Sequence, residues 1–362
     1  MKKLICIAML FSAISIASAQ DNIPLKEKVA RMLIIGFRGT EINDNSPVVV
    51  DIKQRKVGGI ILFEHNITPV EKKLNSMERL KTMCTKIKDL ADYPIIISID
   101  QEGGKVNRLK TKYGFERTVT QEYLGKLDCE DSTRYYSGVT AQQLKDMGLN
   151  TNFTPCVDVN VNINCPVIAK FGRSFSSDEH KVIEHGEYVI DEHNSRGVIT
   201  AIKHFPGHGS STVDSHEGYT DVTNTWQEIE LEPFKALLSD ESQNMVMISH
   251  VFNKNIDDEY PATLSEKTIN GLLRYEIGWD GIVITDDMHM KAITDHYSLK
   301  ESLTLTINAG TDMIILSSNI PGNTEPISQQ AIDAILEQIE AGVISEERIN
   351  ESFNRINKLL ID

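Results

Sequence analysis

The sequence predicts a (β/α)8 TIM barrel, an α/β fold of eight parallel strands alternating with helices, with irregularity allowed for at the N-terminal strands. Three observations carry this. Eight short apolar runs recur, each followed by a longer segment with helical spacing. The runs are nearly continuous in Val, Ile, Leu and Met, which is how parallel strands covered on both faces read. Polar residues sit where the runs end, and in a barrel those ends converge on one mouth. No Gly-x-Gly-x-x-Gly opens the first helix, which argues against a doubly wound dinucleotide-binding sheet.

In chain order the predicted strands are 32–37, 58–63, 94–100, 150–158, 197–205, 244–250, 281–287 and 313–318. Thr68-Pro-Val-Glu71 reads as a capping box with Pro at the first helical position, opening a helix that runs to Leu90. Asp178 and Ser265 read as N-caps of later helices, and Phe234, Leu237 and Leu238 form an apolar stripe. Glu64 and His65 follow the second run, and Asp100 ends the third. Asp158 ends the fourth, Lys203 and His204 the fifth, His250 the sixth, and Asp286 and Asp287 the seventh.

Residues 1–19 read as a signal peptide. Lys2 and Lys3 form a positive start, an apolar run follows, and Ala17-Ser18-Ala19 is a small-residue cleavage site. The mature chain is then expected at 20–362 as one domain, exported to the periplasm or the medium with no membrane anchor. Loss of Lys2 and Lys3 takes the net charge from −15 to −17, a poor balance for nucleic-acid binding. Cys84, Cys129, Cys156 and Cys165 are too sparse for a disulfide scaffold. Cys156 and Cys165 read either as a pair or as two free buried thiols.

Chemistry concentrates in Lys203-His-Phe-Pro-Gly-His-Gly-Ser-Ser-Thr-Val-Asp-Ser-His216, a glycine-jointed loop rich in ionisable groups. Asp214 and His216 can meet around Ser215. The carboxylate would orient the imidazole and favour its protonated form, leaving the other nitrogen to serve a leaving group. A solvated pair on a mobile loop is the plain alternative. Asp286, directly after a buried strand, suits a nucleophile or general base, whereas Asp287 suits a helix cap. Asp100 can accept from sugar hydroxyls, and Glu102 reads as a partner of Arg108 or Lys105. Arg173 reads equally as a buried ion-pair member or a hydroxyl clamp. His204 and His208 are separated by Phe-Pro-Gly, which places them on no common helix face, so neither a metal nor another cofactor is expected.

Together these stretches make the chain similar to glycoside hydrolase family 3, in its single-domain β-N-acetylglucosaminidase branch. The resemblance rests on Gly58-Gly-Ile-Ile-Leu-Phe63, Asp100-Gln-Glu-Gly-Gly104, Asp158-Val-Asn160, Arg173-Ser-Phe175, Lys203-His-Phe-Pro-Gly-His-Gly209, Asp214-Ser-His216, Pro261-Ala-Thr-Leu-Ser265, the 278–288 segment and Ala309-Gly-Thr-Asp312. It implies Asp286 as nucleophile and Asp214 with His216 as an acid/base dyad. It also implies Asp100, Arg173, Lys203 and His204 as contacts to the non-reducing sugar. Two positions depart from the pattern. Lys105 stands where Arg is common, and Cys165 where Asn often precedes Pro166.

The implied reaction is retaining hydrolysis of terminal β-linked N-acetylglucosamine by a monomeric enzyme acting on cell-wall fragments or glycans. A β-glucosidase, an N-acetylglucosamine phosphorylase, substrate-assisted catalysis through Asp286 and Asp287, and a non-catalytic sugar-binding protein are the rival readings.

Overall fold

The computed structural model describes residues 23–68, 75–214, 218–238, 244–317 and 326–361. The expected leader, residues 1–19, and His216 lie outside the described residues.

Eight parallel strands make the barrel: β1 Leu33–Gly36, β2 Gly59–Leu62, β3 Ile96–Ile99, β4 Thr151–Asn152, β5 Ile199–Phe205, β6 Asn244–Ile248, β7 Ile282–Thr285 and β8 Ile314–Leu316. Neighbours in sequence are neighbours in the ladder, and β8 returns to β1 through Leu33–Ile314 and Ile35–Leu316 pairings. A parallel bridge between Ile284 and Met313 closes the remaining gap between β7 and β8. Every residue of these strands is buried. That is why most of the runs are apolar on both faces: one face fills the barrel and the other meets the helices.

All eight predicted runs contain a strand, but the fourth is much shorter than its run. After Asn152 the chain leaves the ladder, and side-chain amides finish the pairing. Asn150 Oδ1 accepts from the Ile97 N–H at 2.7 Å and its Nδ2 donates to Ile95 O at 2.9 Å. Asn152 Oδ1 accepts from the Gln101 N–H at 3.0 Å. Residues 153–158 then curve over the barrel end and rejoin β5 through a Cys156–Lys203 bridge.

The helix predicted to open at Thr68 begins instead at Ser76 and runs to Leu90. Asn75 Oδ1 caps it, accepting from the Glu78 N–H at 2.7 Å, while residues 69–74 lie outside the described residues. Asp178 does cap Glu179–Asn194, accepting from the His180 N–H at 3.0 Å. Ser265 Oγ accepts from the Thr268 N–H at 3.0 Å, at the start of a π-type helix, Lys267–Glu276. At the opposite end of the barrel, fully buried Asp312 precedes β8 and meets Arg274 at 2.7 Å, Arg348 at 3.0 Å and Arg355 at 3.3 Å. Burial alone would raise its carboxyl pKa; the three guanidiniums outweigh it and hold the group below the usual range. This cluster anchors the C-terminal helix to the sheet at the face where barrels carry stability rather than chemistry.

Candidate active site

The carboxyl ends of the strands meet at one mouth. Asp100, the first residue beyond β3, reaches across to Lys203 of β5, with Oδ1 accepting from Nζ at 2.9 Å. Two residues on, the chain turns tightly, the Glu102 and Gly103 N–H groups both donating to Val106 O at 3.0 Å. Gly103 has φ +105°, and a Cβ there would lie 2.3 Å from Val119 O, so only glycine fits the turn. The turn aims Glu102 inward.

Glu102 is the hub of a buried charge cluster. Its carboxylate takes Arg173 in a two-pronged grip, from Nε at 2.8 Å and Nη2 at 2.7 Å, and meets Lys203 Nζ at 2.6 Å. Glu102 and Lys203 side chains are each only 2 % exposed. The sequence reading paired Glu102 with Arg108 or Lys105, and the structure corrects this. Arg108 lies 3.6 Å from Asp100, and Lys105 Nζ donates to Lys170 O at 2.7 Å over the Phe171 ring. Burial would raise the Glu102 carboxyl pKa, but the charges of Arg173 and Lys203 hold it well below the usual range. In turn burial would lower both cations, and the carboxylates raise them instead. Glu102, Arg173 and Lys203 therefore stay ionised. Arg173 resolves as an ion-pair member by its Glu102 contact, yet its side chain keeps 11 % exposure at the mouth.

His204 extends the cluster. Its Nε2 lies 3.0 Å from Arg173 Nη2, which can only donate, so Nε2 accepts and the ring proton sits on Nδ1. That proton goes to Asp158 Oδ2 at 2.6 Å. Asp158 is fully buried and accepts also from the His204 N–H at 3.3 Å, the His208 N–H at 2.7 Å and Cys156 Sγ at 3.1 Å. Burial would raise its pKa; His204 beside it, together with these donors, keeps it below the usual range. Cys156, Asp158 and His204 offer ligand atoms within 4.8 Å of one another. Their contacts at 2.6 and 3.1 Å are those of shared protons, tighter than the roughly 3.5 Å between ligands around a zinc ion. The donor set fits a hydrogen-bonded chain better than an ion.

Asp286 follows β7 directly. Its N–H donates to Ile248 O at 3.0 Å, and its Oδ1 accepts from the Asp287 N–H at 2.7 Å, so backbone holds the carboxylate in place at a half-buried position. Asp287 caps no helix, contrary to expectation. Its Oδ1 accepts from the His289 N–H and the Ser317 N–H, both at 3.1 Å, which ties the turn after β7 to the end of β8. His250, two residues beyond β6, has Nδ1 2.7 Å from Thr263 Oγ1 and Nε2 3.0 Å from Asp287 O, bracing the same turn. Glu64, beyond β2, is held by Lys110 at 2.5 Å and Tyr113 at 2.7 Å; burial opposes, but these donors bring its pKa down to about 2.

The loop from β5 to Asp214 is firmer than its glycines suggest. Residues 206–211 are all buried; only Thr212 and Val213 are exposed before half-buried Asp214. His208 Nδ1 pairs with Ser211 Oγ at 2.6 Å, its ring stands edge-on to His204 at 5.7 Å, and burial lowers its pKa to about 4. It belongs to the loop's framework. The four described cysteines are free thiols; Cys156 and Cys165 share a small apolar cluster without a bond.

Residues 24–359 match the family model described as glycosyl hydrolase family 3 N terminal domain. The chain belongs to glycosyl hydrolase family 3. It is a glycoside hydrolase. Among relatives, it is 30 % identical to the β-hexosaminidase A of Pseudoalteromonas piscicida over 85 % of this chain but only 54 % of that one. It is also 30 % identical to the β-hexosaminidase of Tolumonas auensis (strain DSM 9187 / NBRC 110442 / TA 4), over 80 % of this chain and 84 % of the relative. A family 3 β-N-acetylglucosaminidase from Paenibacillus sp. str. FPU-7 superposes with a TM-score of 0.84 at 32 % identity, covering 93 % of this chain and 62 % of that one.

Within this family 3 chain the structure brings Asp100, Arg173, Lys203 and His204 into one cluster. Asp286 stands at the end of β7. Sequence reasoning missed the central role of Glu102 and gave Asp158 no partner. The signal for Asp158 was present, an acid ending an apolar run. Glu102 carried no comparable signal, because its partners lie far along the chain, Arg173 on a loop and Lys203 on β5.

Proposed function

We propose that this family 3 hydrolase is an exo-acting, retaining β-N-acetylglucosaminidase. The observation that carries the reading is the division of the mouth into two parts. A preorganised charge cluster built beyond β3 and on β5 can bind sugar hydroxyls, and a backbone-held carboxylate at the end of β7 can attack. The names of the relatives support N-acetylglucosamine as the sugar removed.

Asp100 and Arg173, the outward members of the cluster, hold the terminal sugar through its hydroxyls, with Lys203 and His204 behind them. Asp286 attacks the anomeric carbon and forms a glycosyl ester. Asp214 steers His216, which protonates the leaving oxygen and then activates water. An imidazole donor is cationic before transfer and neutral after, so it does not repel an anionic acceptor, and phosphate is included in the test for that reason. The N-terminal segment is proposed to export the chain as a monomer to the periplasm or beyond, where cell-wall fragments or glycans supply substrate.

The test is a panel of aryl N-acetylglucosaminides and aryl glucosides, with and without phosphate, on wild type and Asp286→Ala. We expect release from the N-acetylglucosaminide, no sugar 1-phosphate, and at least about a 10³-fold loss in the variant with its circular dichroism unchanged. Full activity in Asp286→Ala refutes the nucleophile assignment. Preference for the glucoside refutes the sugar assignment.

A further inference from the structure

The stretch between β5 and Asp214 is gripped from two sides. On the barrel side Asp158 Oδ1 accepts from the His208 N–H at 2.7 Å. The Asn162 N–H donates to Gly209 O at 3.1 Å, and Asn162 Nδ2 donates to Ser211 O at 2.8 Å. On the outer side stands the turn 226–231. Trp226 Nε1 donates to Pro206 O at 3.0 Å, and Glu230 Oε2 accepts from the Ser210 N–H at 3.2 Å. The other oxygen, Oε1, accepts from the Gln227 N–H at 3.2 Å and closes Glu230's own turn, Glu228–Leu231.

Two features of Glu230 go beyond what that turn requires. It is fully buried, and among the described residues no Lys, Arg or His pairs with it. Burial lifts its pKa to about 7, Asp158 on the neighbouring segment adds to the rise, and the Ser210 and Gln227 donors oppose it. A buried carboxyl without a cation is destabilising. A Gln would cap the turn as well as Glu does. What Gln lacks is a second oxygen, and here the second oxygen goes to the loop.

The glycines of Pro206-Gly-His-Gly209 fit the same picture. A Cβ on Gly207 (φ +124°) would lie 2.5 Å from Glu230 Cβ, and a Cβ on Gly209 would lie 1.8 Å from Val159 O. The loop is threaded between Glu230 and the Val159 backbone with no room for a side chain at 207 or 209.

We propose that Glu230 is a positioning residue, fixing the base of the loop that carries Asp214 and His216 and so the aim of proton transfer. It rests on the reading of Asp214 and His216 as the acid/base pair. Buried as it is, Glu230 acts through the loop and not on the substrate.

The experiment compares kcat/KM of full-length wild type, Glu230→Ala and His216→Ala on an activated dinitrophenyl N-acetylglucosaminide and an unactivated alkyl one. Only the alkyl leaving group needs a proton. Glu230→Ala is expected to lose roughly tenfold to a hundredfold on the alkyl substrate and less than about threefold on the dinitrophenyl one. His216→Ala is expected to show the same split, more steeply. Equal losses on both substrates, or no loss on either, in Glu230→Ala overturn the proposal while the His216 split leaves the dyad standing. If His216→Ala shows no split, the dyad reading and the proposal fall together. Should Glu230→Ala not fold, Glu230→Gln keeps the turn cap and removes the second acceptor. A loss of about threefold to tenfold confined to the alkyl substrate supports the proposal, and an unchanged alkyl rate overturns it.

Discussion

Glu102→Gln is the perturbation that best tests how the mouth is held together. In the native cluster three donors, Arg173 Nε, Arg173 Nη2 and Lys203 Nζ, share two carboxylate oxygens at 2.6–2.8 Å. Gln offers one accepting oxygen and turns an amide toward the cations. The charges go from two acids facing two buried cations to one acid, Asp100, facing both. Breaking a buried pair by removing one partner costs about 3–5 kcal/mol. The retained oxygen places the expectation near the lower bound, about 3 kcal/mol, within the roughly 5–15 kcal/mol that a native protein has to lose. Folding should survive, but Arg173 and Lys203 should lose their fixed positions, and kcat/KM should fall about a hundredfold.

The assay is urea unfolding at pH 7 and again at acid pH, beside kinetics. The Glu102 pKa is depressed in the folded state, so its stabilisation is fully present above the ordinary glutamate range and is lost as pH falls. The gap between wild type and Glu102→Gln should therefore be widest at neutral pH and narrow in acid. A gap under about 1 kcal/mol at pH 7, or one that does not narrow in acid, refutes the argument that this carboxylate neutralises the cluster.

Two further outcomes follow from other residues. Asp158→Asn removes the anion that fixes the His204 tautomer; it should lower stability by about 2–3 kcal/mol and reduce kcat/KM, and an unchanged urea midpoint with full activity counts against the Asp158–His204 link. Glu230 has the opposite linkage. Its folded pKa, about 7, lies above the unfolded value, so the folded state holds an extra proton between roughly pH 4.3 and 7 and stability falls as pH rises through that window, on the order of 3 kcal/mol. Glu230→Gln should flatten that limb of the stability–pH curve, and an unaltered slope in the variant argues that the carboxyl is not buried as described.

The barrel was legible because its strands have no polar face to hide. Most of the eight runs are dominated by Val, Ile, Leu and Met, and each contains a strand. The fourth misled on length, since Asn150 and Asn152 replace backbone pairing with side-chain amides, which no periodicity reports. The helix predicted from Thr68 misled on its start, because the extended Asn75 caps Ser76–Leu90 with its own side chain. The loop to Asp214 read as a loose arm from its glycines. In the fold those glycines mark close packing against Glu230 and Val159, not freedom.

The sequence by itself determined the fold class, the polar ends of the strands and the kind of chemistry gathered there. These follow from composition and spacing along the chain, which burial on both strand faces imposes locally. Only the tertiary structure decided which charges neutralise which. Arg173 meets Glu102 across 71 residues and Lys203 meets Asp100 across 103. Such pairings depend on which strand ends the barrel brings to one mouth and on how the loops above them turn. The tautomer of His204 and the grip of Glu230 on Ser210 depend on the same closure, because a buried polar group takes whatever partner the fold brings within reach.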